Sequence, residues 1–235
     1  MTLGFHNANV RRSAKRLKEA GLYRDNSTII ITPTRADGDI AVRVAESHAN
    51  LGKGMNQRVH KVLVEGKEVG AAYQQTIENI LAHPELSKWK YVLTLEDDNI
   101  PPPNGLELLW QSIEQGPYAA VGGLYWTKGY GGQPMIYGDP KVLSFLPQVV
   151  RPNAVQECNG LGMGFTLFRL DVFKKLDAPW FKTLTLAEDG KLETQDLFFF
   201  EKVRKAGYKV ASDNRVLVGH YDARGDFGAG PGFVW

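Results

Sequence analysis

Residues 91–103 read YVLTLEDDNIPPP, an apolar run that ends abruptly in three carboxylates followed by prolines. The apolar part, from Tyr91 to Leu95, has the length and composition of a buried β-strand. Almost no polar residue interrupts the run, which indicates that both faces of the strand are covered, as they are in parallel sheets. The sequence therefore predicts a central strand with acidic residues at its carboxyl end.

Strands and helices alternate on both sides of this stretch, which predicts right-handed βαβ units. After residue 117 the alternation breaks, and residues 127–160 show no helical pattern. The expected fold is α/β, with a mostly parallel, Rossmann-like central sheet flanked by helices. The predicted strands cover residues 28–31 (stopping at Pro33), 59–64, 91–95, 118–126, 164–170 and 216–218, and the predicted helices 10–24, 40–51, 73–81, 106–113, a short one capped by Asp171, and 195–206.

Composition fits one substantial domain, since the chain has 235 residues of which 43% are hydrophobic. The formal net charge of +2 is too small to indicate that the protein binds nucleic acid through its overall charge. Cys158 is the only cysteine, which rules out an intramolecular disulfide. No apolar run approaches the roughly 20 residues that span a bilayer. The N-terminal residues lack the apolar core of a secretory signal. We therefore expect a soluble, cytoplasmic protein.

The first predicted helix is strongly basic, and two interpretations remain open. It is either a solvated helix packed by a thin apolar stripe, which we favour, or a contact for anionic lipid, nucleic acid or phosphate. The basic residues are Arg11, Arg12, Lys15, Arg16 and Lys18.

Glu96, Asp97 and Asp98 repel one another, so the cluster is costly unless a cation neutralises it. Carboxylate oxygens suit Mg²⁺ or Mn²⁺, which commonly bridge a protein carboxylate to a phosphate. Strand alternation sends Glu96 and Asp98 to one side and Asp97 to the other. A solvated acidic turn that caps the next helix is the equally weighted alternative.

Other strand ends also carry unusual residues, and ligands of open α/β sheets bind outside the carboxyl ends of the strands. The first strand is followed by Thr32, Pro33, Thr34 and Arg35, and the second by Glu65. Gly160, Gly162 and Gly164 precede a strand rather than follow one, so they do not form a dinucleotide fingerprint. Glycines at these positions allow the backbone to approach a bound ligand closely.

Four segments in sequence resemble the GT-A glycosyltransferases, particularly family 2. Residues 91–102 are similar to that family's hydrophobic strand with its acid-x-acid motif. Residues 160–173 resemble its glycine-led strand, residues 194–210 its acidic-motif helix, and residues 218–222 the segment with the C-terminal metal histidine of several GT-A families. The resemblance covers roughly residues 27–222, and the order of the segments makes it fairly specific.

The resemblance implies a metal-dependent transfer of sugar from a nucleotide-diphosphate donor to an acceptor hydroxyl, with inversion. It implies that Asp98 and His220 hold Mn²⁺ or Mg²⁺ and that Asp196 is the catalytic base. The donor-binding residues implied or expected are Thr32, Pro33, Thr34, Arg35, Glu65, Glu96, Asp97 and Gly162, with Arg224 joining on closure of a lid. Glu96 replaces the family's usual first aspartate, and Gln195 stands where a carboxylate often precedes the base.

The corresponding organisation is a single GT-A-like domain with a smaller acceptor-side lobe. It comprises a basic N-terminal helix (1–26), a nucleotide-sugar-binding half (27–117), an acceptor-side half (118–220) and a glycine-rich C-terminal lid (221–235). Rival interpretations are a nucleotidyltransferase, a retaining GT-A enzyme and a non-catalytic module that binds nucleotide-sugars or glycans. The acceptor is a glycan, a small molecule or a modified base in nucleic acid.

Overall fold

The structure is a computed structural model that describes residues 8–20, 24–142, 144–185, 192–222 and 233–234. Its helices are α1 (Ala8–Glu19), α2 (Val42–Asn50), α3 (Val69–Ala82), α4 (Gly105–Gln115), α5 (Leu170–Lys175) and α6 (Gln195–Lys205). Its strands are β1 (Thr28–Thr34), β2 (Val59–Glu65), β3 (Tyr91–Leu95), β4 (Asn99–Ile100), β5 (Tyr118–Leu124), β6 (Ile136–Tyr137), β7 (Val155–Cys158), β8 (Gly160–Leu161), β9 (Phe165–Arg169), β10 (Leu184–Thr185), β11 (Leu192–Glu193), β12 (Lys209–Leu217), β13 (Gly219–Asp222) and β14 (Phe233–Val234).

A seven-stranded sheet in the order β2-β1-β3-β9-β5-β12-β7 forms the centre of the molecule. Strands β1, β2 and β3 are parallel, as are β5 and β12, while β9 and β7 run antiparallel to their neighbours. The predicted α/β fold with a mostly parallel sheet is confirmed. Both halves of the chain contribute strands to this one sheet, so β9 and β5 from the second half extend the sheet beyond β3.

Hydrophobic clusters cover both faces of the sheet, and β1 shows how the sequence achieves this. Ile29 and Ile31 belong to the cluster that includes Tyr73 of α3 and Phe199 of α6. Ile30 belongs to the opposite cluster, with Leu109 of α4. Successive side chains of a strand point to opposite faces, so a continuous apolar run feeds two cores. Strand β3 is packed in the same way, with Val92 in the first cluster and Leu93 in the second, and the acidic turn follows directly from it.

Several predicted boundaries were wrong for identifiable reasons. Strand β1 does not stop at Pro33 but continues to Thr34. Pairing with β3 ends at Ile31, so the missing N–H of Pro33 breaks no ladder bond on that side. The predicted last strand is the end of a longer one, β12, whose register shifts between Asp213 and Leu217.

The helix boundaries also differ in two places. Helix α1 ends at Glu19, just before Gly21 in the sequence, a residue type favoured after helix ends. Asp171 is not the cap of α5, because the helix already begins at Leu170 and Arg169 takes the cap position. Asp171 instead lies in the first turn, where its carboxylate accepts a hydrogen bond from Lys174 at 2.9 Å.

Candidate functional site

The acidic segment after β3 is a tight turn. The Asn99 N–H donates to the Glu96 carbonyl at 3.2 Å, so the strand's alternation ends at Leu95. Asp97 turns towards the end of β1, where its Oδ2 accepts from the Arg35 N–H at 3.3 Å. Of the predicted donor-binding residues, Arg35 and Asp97 are therefore brought into contact.

Glu96 is the member of the turn that contacts helix α3. Its Oε1 accepts a hydrogen bond from the Tyr73 hydroxyl at 3.1 Å, and Tyr73 is itself fully buried on α3. Burial raises the pKa of Glu96 well above its usual value, and repulsion from Asp98 and Asp196 raises it further. The carboxylate at the start of α6 is therefore electrostatically coupled to the turn, although a hundred residues separate Glu96 from Asp196.

His220 reaches Asp98 through a two-residue antiparallel ladder. Strand β13 pairs with β4, placing His220 opposite Asn99, and the Tyr221 N–H donates to the Asp98 carbonyl at 2.6 Å. His220 Nε2 then lies 3.6 Å from Asp98 Oδ2. The predicted metal pair, Asp98 and His220, is thus assembled side by side.

Contacts on the side of the ring away from Asp98 fix the orientation of His220. Its Nδ1 is 2.8 Å from the Trp126 carbonyl oxygen, which can only accept, so Nδ1 carries the hydrogen. The ring also meets Tyr125 edge-on, with centroids 5.5 Å apart. Nε2 is therefore the nitrogen that faces the carboxylate, and backbone support of this kind is usual for metal-binding histidines.

Lys128 also contacts Asp98, a contact that was not predicted from the sequence. Its Nζ is 2.6 Å from Asp98 Oδ2, and both side chains are about four-fifths buried, with 20% and 22% exposed. Burial by itself raises the pKa of Asp98, but hydrogen bonds and charge from His220 and Lys128 outweigh it and hold the pKa below its usual range. Asp98 is therefore ionised at neutral pH.

Asp196 lies in the first turn of α6 and is 6% exposed. Its Oδ1 accepts from the Leu197 N–H at 2.9 Å and from the Thr194 hydroxyl. Thr194 holds the cap position and makes no side-chain cap bond to the backbone, and its hydroxyl donates instead to Asp196. Burial raises the pKa of Asp196 despite these bonds, which makes the carboxylate a stronger base than an exposed aspartate.

The end of β1 supplies polar atoms with no protein partner. Thr34 pairs in register with Glu65 of β2, and its carbonyl accepts from the Gly66 N–H at 3.0 Å. In the described part of the chain, six buried side-chain atoms lack a hydrogen-bond partner. Five lie at this carboxyl edge, on Thr32, Thr34, Asp98 and Asn99, and the sixth is Arg204 Nε. Buried polar atoms are rarely left unpaired, so their concentration here indicates a polar ligand.

The donor set fits a divalent ion completed by a substrate. Asp98 Oδ1 is buried and unpartnered, Nε2 of His220 faces the same carboxylate, and Glu96 is held in an environment short of positive charge. No group of three or more His, Cys, Asp or Glu side chains within the described ranges is arranged to hold a metal. Mg²⁺ commonly takes only one or two protein carboxylates and obtains its other ligands from phosphates and water.

Two predicted site residues have other outcomes. Gly162 is buried, and a Cβ there would overlap the Tyr125 hydroxyl and come within 2.7 Å of Met135 Cε. This packing already accounts for a glycine, and its predicted approach to a donor stays a prediction. Arg224 lies outside the described residues, as does most of the predicted lid. The described part of that segment includes Val234, which pairs with Tyr221 of β13.

Comparison with known proteins finds similar folds but no matching protein family. No protein-family model matches the sequence, and no curated protein matches it. Among solved structures, A197 from STIV superposes with a TM-score of 0.59 at 16% identity, covering 83% of this chain and 86% of that one. S. aureus TarS 1-349 gives a TM-score of 0.48 at 12% identity, covering 79% of this chain and 57% of that one.

The chain therefore has an α/β fold of the GT-A-like, Rossmann-like class. At such low identity the likeness extends to the fold alone, and the resemblance to family 2 stays a prediction. Across the described residues, no helix has the length and apolarity needed to cross a membrane.

Proposed function

We propose that the protein is a glycosyltransferase that moves a sugar from a nucleoside-diphosphate donor to an acceptor hydroxyl, using a divalent ion and inverting the anomeric centre. One observation carries the proposal: Asp98 lies beside His220 after the central strand β3, and the charges of Asp98 and of the buried base candidate Asp196 both raise the pKa of Glu96. This arrangement would combine groups for binding a phosphate-bound ion with a group for accepting a proton.

The residues divide the work as follows. Asp98 and His220 would hold the ion, and Thr32, Thr34 and Arg35 would lie along the nucleotide at the end of β1. A bound divalent ion would supply positive charge beside the leaving diphosphate. Asp196 accepts the proton of the acceptor hydroxyl while the new bond from that oxygen to the anomeric carbon forms. The bond from that carbon to the phosphate oxygen breaks, and the nucleoside diphosphate leaves with the electron pair.

The buried position of Asp196 supports its role as the base. A helix N-terminus favours the anion and weakens it as a base, whereas desolvation has the opposite effect. Burial is the larger influence here, because the pKa of Asp196 is raised. Its side chain is also fixed by Thr194 and Leu197, which keeps the carboxylate in one orientation.

The test is a panel of nucleotide-sugars with Mn²⁺ and a mixed set of hydroxyl acceptors, read out as nucleoside diphosphate release. We expect release with at least one donor, loss of release on chelation, and little release from the Asp196→Asn variant. Pyrophosphate release from a nucleoside triphosphate with a sugar phosphate would instead identify a nucleotidyltransferase. Donor binding without any release, in wild type and variant alike, would identify a binding module.

A further inference from the structure

Lys128 lies in a short hairpin, and the hairpin backbone holds the residue near Asp98. Trp126 and Pro134 form an antiparallel bridge, and the Thr127 N–H donates to the Gln133 carbonyl at 2.9 Å. The hairpin reverses through Gly129, Tyr130, Gly131 and Gly132, with a hydrogen bond of 3.1 Å from the Gly132 N–H to the Gly129 carbonyl.

Glycine is favoured in this reversal at three positions, the first being Gly129 with a φ of +102°. Gly131 has a φ of +79°, a conformation that other residues adopt only at a cost, and a Cβ on Gly132 would overlap the Thr127 carbonyl. The hairpin backbone therefore sets the place from which Lys128 extends. Its ammonium reaches Asp98 Oδ2 at 2.6 Å, on the oxygen that also faces His220 Nε2.

An ammonium and a divalent ion cannot share this position. Metal–oxygen distances for Mg²⁺ are about 2.0–2.1 Å, so an ion on Asp98 Oδ2 would stand where the ammonium now lies. Two cations there would also repel each other strongly in a site that is mostly buried. An ion held jointly by Asp98 Oδ2 and His220 Nε2 must therefore displace Lys128 from that oxygen.

We propose that Lys128 is a displaceable counter-ion that competes with the divalent ion for Asp98 and, once displaced, binds the phosphates of the donor. This rests on the proposed function, which puts the ion on Asp98. The freed ammonium remains tethered by the hairpin beside the turn, where a diphosphate bound to the ion is the nearest new anion. Lys128 thus makes metal binding weak without nucleotide and cooperative with it.

The experiment measures Mn²⁺ affinity by electron paramagnetic resonance, with and without uridine or guanosine diphosphate, in wild type, Lys128→Gln and Lys128→Arg. Removing the competing charge should tighten Mn²⁺ binding at least tenfold in the Gln variant without nucleotide. The factor by which the diphosphate raises Mn²⁺ affinity should shrink at least fivefold. The Arg variant keeps the positive charge, although its guanidinium has a different shape from an ammonium. Its Mn²⁺ affinity should therefore remain within about threefold of wild type.

Lys88→Gln is the matched control, because Lys88 forms an exposed ion pair with Glu85 at 3.1 Å. It should change neither quantity. Equal or weaker Mn²⁺ binding in Lys128→Gln would overturn the competition while leaving a metal-dependent transferase intact. Failure of wild type and every variant to bind Mn²⁺ would overturn both. Tighter Mn²⁺ binding in the Gln variant, without sugar transfer from any donor, would leave the competition standing and refute the transferase.

Discussion

His220 lies opposite Asn99 in the ladder between β13 and β4, and this pairing places its Nε2 3.6 Å from Asp98 Oδ2. The ladder contains only two residue pairs, Gly219 with Ile100 and His220 with Asn99. Two short segments far apart in sequence thus define the geometry of the candidate metal site. The ladder thus directs Nε2 of His220, a nitrogen that can bind a metal, towards Asp98.

Replacing His220 by Gln should therefore lower Mn²⁺ affinity by at least tenfold, since one of the two protein ligands is lost. The thermal midpoint should change little, because the ladder hydrogen bonds are made by the backbone. Electron paramagnetic resonance titration with Mn²⁺ measures the first quantity and calorimetry the second. His60→Gln, a change on strand β2 away from Asp98, is the control. Unchanged Mn²⁺ affinity in His220→Gln would remove His220 from the ligand set.

A second prediction concerns Gly162 and Tyr125. The Tyr125 hydroxyl fills the space beside Gly162 and accepts from the Gly164 N–H at 2.7 Å. Gly162→Ala should destabilise the protein by about 1–3 kcal/mol, as expected for overpacking a tight interior. In a Tyr125→Phe background the same change should cost less, because the hydroxyl is gone.

Denaturant unfolding of the two single variants and the double variant gives this coupling directly. Strict additivity would show that Gly162 is not there to accommodate the hydroxyl. An approach of its backbone to the donor would then be the better explanation for the glycine, and nucleotide affinity of Gly162→Ala would be the next measurement.

The sequence predicted the central part of the fold because that part has strong local signals. Tyr91–Leu95 is apolar, short and sharply ended, and it forms β3 with those bounds. The location of the main site residues at the ends of elements was also predictable, since Asp98, Asp196 and His220 each follow or begin a predicted strand or helix. These signals depend on the periodicity of strands and helices, which a sequence displays directly.

The missed features have no periodic signal. Strand β4 is two residues long, so nothing in the sequence indicated that it would pair with β13. Lys128 lies in a glycine-rich loop, and only the folded hairpin directs it to Asp98. The glycines Gly129, Gly131 and Gly132 after a lone lysine were the available hint, since they mark a sharp reversal at that point.

The third prediction is a pH effect on stability from His48. Its Nε2–H donates to the Asn99 carbonyl at 3.0 Å, and its Nδ1 accepts from Lys61 at 3.1 Å, so the ring is neutral. Burial, helped by the charge of Lys61, lowers its pKa from 6.5 to about 4. The unfolded chain therefore binds the proton more readily, and the stability contributed by neutral His48 is present above pH 6.5 and lost as the pH falls towards 4.

Between pH 7 and pH 5, the wild type should lose about 2 kcal/mol more unfolding free energy than a His48→Gln variant. Urea titrations at the two pH values measure this difference. The Gln side chain does not titrate in this range, so the variant reports the pH dependence of all other groups. Equal losses in the two proteins would show that His48 is not held neutral in the fold.

The last prediction separates a catalytic role of Asp196 from a structural one. Asn keeps the shape of the side chain, and its carbonyl oxygen can still accept from the Leu197 N–H and the Thr194 hydroxyl. Loss of a general base costs about 10²–10⁴ in rate, whereas loss of a carboxylate that only complements a helix dipole costs at most about 1 kcal/mol of stability. Asp196→Asn should therefore bind donor almost normally and transfer sugar at least a hundredfold more slowly.

Stability provides an independent check on the same variant. The pKa of Asp196 is raised mainly by burial, so the ionised form is less favoured in the fold than in the unfolded chain. The protonated form of Asp196 therefore contributes stability at low pH, and this contribution is lost as the pH rises above the usual aspartate pKa. At pH 7 the buried charge destabilises the protein. The Asn variant should accordingly have a higher thermal midpoint than wild type at pH 7, with the difference disappearing in acid. A variant that keeps more than a tenth of wild-type transfer at saturating acceptor would show that another group is the base.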